Sequence, residues 1–139
     1  MFLKQHANDL VVAAMKRVVT ISIDDAQRKR LEPNVLLVDI REAHELERDG
    51  TIPNAINVPR GVLEFRIDPS SPYCCDEFLS AREIILYCQA GSRSALAAAT
   101  LQDMGVSPVC HIEGGFAAWK RSGAEVTEST DCPVLPMEK

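Results

Sequence analysis

Apolar residues recur along this chain in two rhythms. Leu3, Ala7, Leu10, Ala14 and Val18 follow helical spacing, with Val11 and Met15 beside them, which predicts an amphipathic helix over residues 1–17. Packing against the chain's own domain is the first reading of that face, and a homodimer contact is the second. Val18–Ile21, Val35–Asp39, Glu83–Tyr87 and Val109–Ile112 instead form short apolar runs without polar alternation. Such runs are expected of strands buried on both faces of a mostly parallel sheet. Ile52–Pro59 reads as an extended segment, but its two prolines argue against a regular central strand.

Polar punctuation places helices between these runs. Ser22 with Asp25 resembles a capping box, opening a helix that runs to about Leu31. Glu42–Arg48 reads as a short charged helix ended by Gly50, and Gly61–Ile67 as another short helix. Asp68–Pro72 is a loop. Ser94–Met104 is rich in alanine and leucine and stops at Gly105, while Phe116–Arg121 forms a last helix before Gly123. Strands alternating with helices imply an α/β fold with helices on both faces. The predicted organisation is a leading helix over residues 1–17, a domain over 18–124, and a loose tail over 125–139.

Composition narrows the class. At 139 residues, with 46% apolar and 25% charged residues, the chain has the make-up of one ordinary globular domain. A net charge of −5 and the lack of a basic stripe argue against nucleic acid as a partner. No run approaches the length of a membrane span, and Leu10–Met15 is followed, not preceded, by Lys16-Arg17, unlike a secretory leader. Five cysteines with no CxxC pair and no zinc-like spacing suggest free thiols in a reducing, cytoplasmic setting.

The candidate chemistry lies in Cys88-Gln89-Ala90-Gly91-Ser92-Arg93-Ser94, between the third apolar run and the Ala/Leu helix. A cysteine at a strand's carboxyl end, facing the amino end of the next helix, meets unpaired N–H groups and a partial positive charge that favour thiolate. Cys88 is the candidate nucleophile. Gly91 allows backbone angles that turn N–H groups inward as an anion cradle. Arg93 offers a fork for an oxyanion, and Ser92 and Ser94 offer hydroxyl donors or helix caps. His111 reads as a hydrogen-bonded structural group, Trp119 and Phe116 as core. Cys110 reads as a buried strand residue and Cys132 as exposed. Adjacent Cys74 and Cys75 leave a redox role open.

The Cys-x-x-Gly-x-Arg-Ser loop resembles the active-site loop of the rhodanese-like sulfurtransferases. Val38-Asp39-Ile40-Arg41-Glu42-Ala43-His44-Glu45 with Gly50–Pro59 resembles that family's upstream block, and Glu113-Gly114-Gly115-Phe116-Ala117-Ala118-Trp119 its downstream block. Thr51 stands where the family often has histidine, and Asn54 where it often has glycine. The resemblance implies a five-stranded, mostly parallel sheet and a ping-pong sulfur transfer through a Cys88 persulfide. The donor would be thiosulfate or a persulfide, the acceptor cyanide or a thiol, and the reaction would need no metal and no cofactor. Asp39 and Arg41 would be supporting structural residues. Two other readings stay open: a rhodanese-like binding or regulatory module without catalysis, and a phosphatase or arsenate reductase of the same fold. In the latter group the loop carries five residues between cysteine and arginine; here there are four, Gln89–Ser92.

Overall fold

In a computed structural model, which describes residues 1–133, five strands form one sheet. They are β1 (Val19–Ile21), β2 (Val35–Asp39), β3 (Ile56–Asn57), β4 (Glu83–Tyr87) and β5 (Val109–Ile112), in the order β1-β5-β4-β2-β3. Every strand pair is parallel. Among the described residues seven α-helices precede, connect or follow them: α1 (Ala7–Arg17), α2 (Ile23–Lys29), α3 (Ala43–Asp49), α4 (Leu63–Ile67), α5 (Asp76–Leu79), α6 (Ser92–Asp103) and α7 (Gly115–Arg121).

The unbroken apolar runs are explained by two cores, one on each face of the sheet. From the central strand β4, Ile84 and Leu86 join Val38, Ala95, Ala98 and Leu101 on one face, under α1 and α6. Ile85 and Tyr87 join Ile21, Ala26, Ile112, Phe116 and Trp119 on the other, under α2 and α7. Successive strand residues point to opposite faces, so both must be apolar. The small side chains of Ala95, Ala97, Ala98 and Ala99 are buried and let α6 lie close on the sheet.

Several boundaries follow the chemistry of their ends. Ser22 Oγ accepts the Asp25 N–H at 3.1 Å, opening α2. Asn54 adopts φ 70°, a left-handed angle that asparagine tolerates better than most residues. In the extended Ile52–Pro59 segment only Ile56 and Asn57 pair with β2, as the short edge strand β3. Asp76–Leu79 forms a one-turn helix, α5, that the sequence pattern did not announce, too short to show a period.

Three expectations are corrected. The leading helix begins at Ala7, and of its apolar stripe Ala14 and Val18 are buried while Leu3, Ala7 and Leu10 are exposed. It packs on α6, with Arg17 paired to Asp103, so only its last turn reaches the core. Residues 125–133, expected as a loose tail, pack along the domain: Thr51 and Thr127 exchange backbone hydrogen bonds at 2.9 and 2.8 Å, and Trp119 Nε1 donates to Glu125 O at 2.7 Å. Residues 134–139 of that tail lie outside the described residues. Cys132, expected to be exposed, is buried, its thiol donating to Ala55 O at 3.1 Å.

Candidate active site

Cys88 follows β4 directly, at the carboxyl edge of the sheet's central strand, and α6 begins four residues later. Gly91 holds φ 109°, which a side chain would strain, and turns the loop into the helix. That turn brings the Gly91 N–H to 3.1 Å and the Ser94 N–H to 3.3 Å from Cys88 Sγ. The first-turn N–H groups of a helix lack partners within it. Here the cysteine sulfur fills the place a serine or aspartate oxygen takes in an ordinary helix cap. Cys88 is 1% exposed, so few other donors compete for its sulfur.

The loop is held from behind. The Phe116 N–H donates to Cys88 O at 2.8 Å, and the Ala117 N–H to Gln89 O at 3.0 Å. With both carbonyls bound to the first turn of α7, the N–H groups that follow face the sulfur. This contact demands glycine at 115. A Cβ there would lie 2.5 Å from Cys88 O and 2.8 Å from Gln89 C, at φ 62°. We expect Gly115→Ala to destabilise the fold by about 1–3 kcal/mol from backbone strain alone. It should also slow Cys88 alkylation at neutral pH, read beside a thermal melt; unchanged values in both would show that the clamp is dispensable.

Asp39 and Arg41 form a wholly buried ion pair beside the loop. Arg41 Nη2 lies 2.7 Å from Asp39 Oδ2 and Nε 3.0 Å from Oδ1, both side chains at 0% exposure. Burial opposes the Arg41 charge, but the Asp39 carboxylate outweighs it and holds the guanidinium above its usual pKa. The remaining donors reach Gly50 O at 2.8 Å and Gln89 Oε1 at 3.0 Å, which ties the ion pair to the loop. Arg41 also stacks 4.2 Å over the Phe116 ring. Thr51 Oγ1 donates to Asp39 Oδ2 at 3.0 Å and lies 2.7 Å from Tyr87 OH. The Tyr87 hydroxyl, pushed well above its usual pKa by burial, accepts the Ile52 N–H at 3.2 Å.

Arg93 sits differently from the sequence expectation. The fork read as an oxyanion clamp is filled by Glu45 of α3, at 2.8 Å to each carboxylate oxygen. Hydrogen bonding from Arg93 pulls the Glu45 pKa down to about 2 from 4.5. Stability from this pair is therefore complete above pH 4.5 and lost as pH falls toward about 2. In Glu45→Gln, the loss of stability across that interval should shrink, measured by urea unfolding at stepped pH. An unaltered acid profile would deny the pair its weight. Gln89 and Gly91 are half-buried, Ala90 and Ser92 are exposed, and Ser94 is buried with its Oγ 3.2 Å from Gly91 O.

The other buried thiols are poor nucleophiles. Burial pushes Cys110 up to about 12, with Glu83 adding to it, and pushes Cys75 and Cys132 up to about 11. All five cysteines are unpaired. Among the described residues no group of His, Cys, Asp and Glu is placed to hold a metal ion, and no helix is long and apolar enough to cross a membrane.

Sequence reasoning missed Glu45, the α7 clamp, and the pairing of His111 with Ser94 at 2.8 Å. The Glu113–Trp119 block was the signal for the clamp, though nothing in its letters says that it binds the loop's carbonyls. A parallel α/β sheet with a cysteine cradled at the carboxyl end of its central strand defines a class of thiol-centred domains. The chain belongs to the rhodanese-like domain family, whose model matches residues 22–122.

A sulfurtransferase of Allochromatium vinosum is 34% identical over 101 residues, covering 73% of this chain and 86% of that one. An uncharacterized Synechocystis protein, slr1261, is 31% identical over 121 residues, covering 87% of this chain; the chain spans 63% of that protein's length. Among solved structures, a Rhodopseudomonas palustris protein of unknown function, named as a possible tyrosine phosphatase, is 42% identical with a TM-score of 0.86, over 91% of this chain and 97% of that one.

Proposed function

We propose that this protein is a sulfurtransferase working through a Cys88 persulfide. The observation that carries the reading is the sulfur itself, held by the Gly91 and Ser94 N–H groups at the start of α6. Donors fixed before reaction stabilise negative charge on sulfur without reorganising. In the first step the Cys88 thiolate attacks the outer sulfur of a donor such as thiosulfate. The donor's S–S bond breaks and sulfite leaves with the electron pair. In the second, cyanide or a thiolate attacks the outer sulfur of the persulfide, and Cys88 departs as thiolate. The proton inventory needs no separate base once Cys88 is ionised. Five unpaired thiols support a reducing, cytoplasmic setting for this reaction.

The likeness to the protein named as a possible tyrosine phosphatase favours a second reading, phosphate-ester hydrolysis. Two features weigh against it. Only four residues separate Cys88 from Arg93, and the Arg93 fork is bound to Glu45, not presented to an oxyanion. Incubation with thiosulfate should add the mass of one sulfur atom to the Cys88 peptide, and cyanide should remove it. No adduct, together with turnover of an aryl phosphate, would decide for the phosphatase. No adduct and no turnover would leave a binding module.

A further inference from the structure

His111 on β5 is 1% exposed, and both of its ring nitrogens are engaged. Nδ1 lies 2.8 Å from Ser94 Oγ and Nε2 lies 2.9 Å from Thr20 Oγ1. Ser94 Oγ in turn lies 3.5 Å from Cys88 Sγ, with the thiol as donor. One unbroken chain thus runs from the reactive sulfur, across α6 and β5, to the half-buried Thr20 on the edge strand β1.

Burial alone lowers the His111 pKa, so the ring is neutral at the core of this chain. The charged groups of the surrounding elements are engaged elsewhere. Arg93 of α6 is bound to Glu45, Asp103 of α6 to Arg17 of α1, and Asp9 of α1 to the His6 N–H, while Lys16 is exposed. On β4, Glu83 pairs with Lys29 and Tyr87 faces the opposite core. The strand β1 carries no titratable side chain. Cys88 is the titratable group at the end of the chain.

A neutral imidazole donates at one nitrogen and accepts at the other, so the direction of the whole chain is set from either end. With Cys88 a thiol, S–H donates to Ser94 Oγ, the one Ser94 hydroxyl proton takes the closer acceptor, Nδ1 at 2.8 Å, over Gly91 O at 3.2 Å, and Nε2–H donates to Thr20 Oγ1. A thiolate can only accept. We propose that His111 is a positioning residue that exchanges tautomer when Cys88 ionises, turning the Ser94 hydroxyl into a third donor to the sulfur and releasing the proton through Thr20. The protons balance. One leaves Sγ for Ser94 Oγ, the Ser94 proton moves to Nδ1, the Nε2 proton moves to Thr20, and the Thr20 proton passes to solvent water. The S–H bond is the net bond broken, and no buried imidazolium forms. A hydrogen bond to a charged acceptor is stronger than a neutral one, so the reversed chain favours thiolate.

This inference rests on Cys88 being the reacting thiol, not on which molecule brings the sulfur. Its test is 15N NMR of the His111 ring across pH, beside the alkylation rate of the Cys88 peptide followed by mass spectrometry. Nδ1 should change from bare to protonated, and Nε2 the reverse, with the same midpoint as Cys88 alkylation. In Cys88→Ser the ring should keep one tautomer throughout. A single tautomer at every pH in the unaltered protein overturns the proposal, as does a crossover that survives in Cys88→Ser or protonation of both nitrogens at the Cys88 midpoint. Failure of the sulfur-transfer reading is separable, since a protein inert to thiosulfate would still show the crossover.

Discussion

Cys88→Ser is expected to abolish sulfur transfer to cyanide and to leave no sulfur adduct, while the protein still folds. The physical reason for the split lies in the two jobs of one atom. As a nucleophile the thiolate has no substitute in a serine hydroxyl, which is neutral at working pH and does not form a stable counterpart of the persulfide. As a cap for α6, serine is a good replacement, because its oxygen accepts the same Gly91 and Ser94 N–H groups. Stability should therefore stay within about 1 kcal/mol of the unaltered protein in urea unfolding. Turnover that survives the change would move the chemistry to another residue. A collapse of the fold would mean that the sulfur's packing outweighs its hydrogen bonds.

Asp39→Ala should produce the largest loss of stability. Its carboxylate meets the Arg41 guanidinium through three contacts of 2.7 to 3.3 Å and accepts from Thr51, all out of solvent. Removing one partner strands the other as an uncompensated buried charge, at a cost of about 3–5 kcal/mol. Because Arg41 also holds the Gln89 side chain, the loop should loosen in the same variant. Chemical denaturation measures the first effect, and the alkylation rate of Cys88 at neutral pH the second. A loss below about 1 kcal/mol would place the pair among weak surface contacts instead.

The sheet was legible because its strands are buried on both faces, and apolar runs as short as Val35–Asp39 and Glu83–Tyr87 suit a buried strand far better than a helix. The Cys88 loop was legible because a cysteine, a glycine and an arginine stand in register between a strand and a helix. What escaped were partnerships across the sequence. Arg93 looked free for an anion, since nothing near it carries the opposite charge; Glu45 arrives from α3 only when β2 and β4 pair. His111 looked isolated for the same reason, with Thr20 and Ser94 brought to it by β1 and α6. The segment from Glu125 looked loose because its polar composition shows nothing of the backbone bonds between Thr51 and Thr127. On α1, the helical period marked an apolar face correctly but did not tell how little of it α6 would cover.

The clamp by α7 sets a limit on what the seven letters from Cys88 to Ser94 mean. The carbonyls of Cys88 and Gln89 are aimed by a helix that the chain makes only after its last strand. A fragment ending before residue 113 would carry the full signature and lack the peptide orientation that gives it a use. The motif is thus not a portable module. Grafted onto another strand–helix turn, it would need its own substitute for residues 115–117, and during synthesis the sulfur gains its cradle only once nearly the whole domain has emerged.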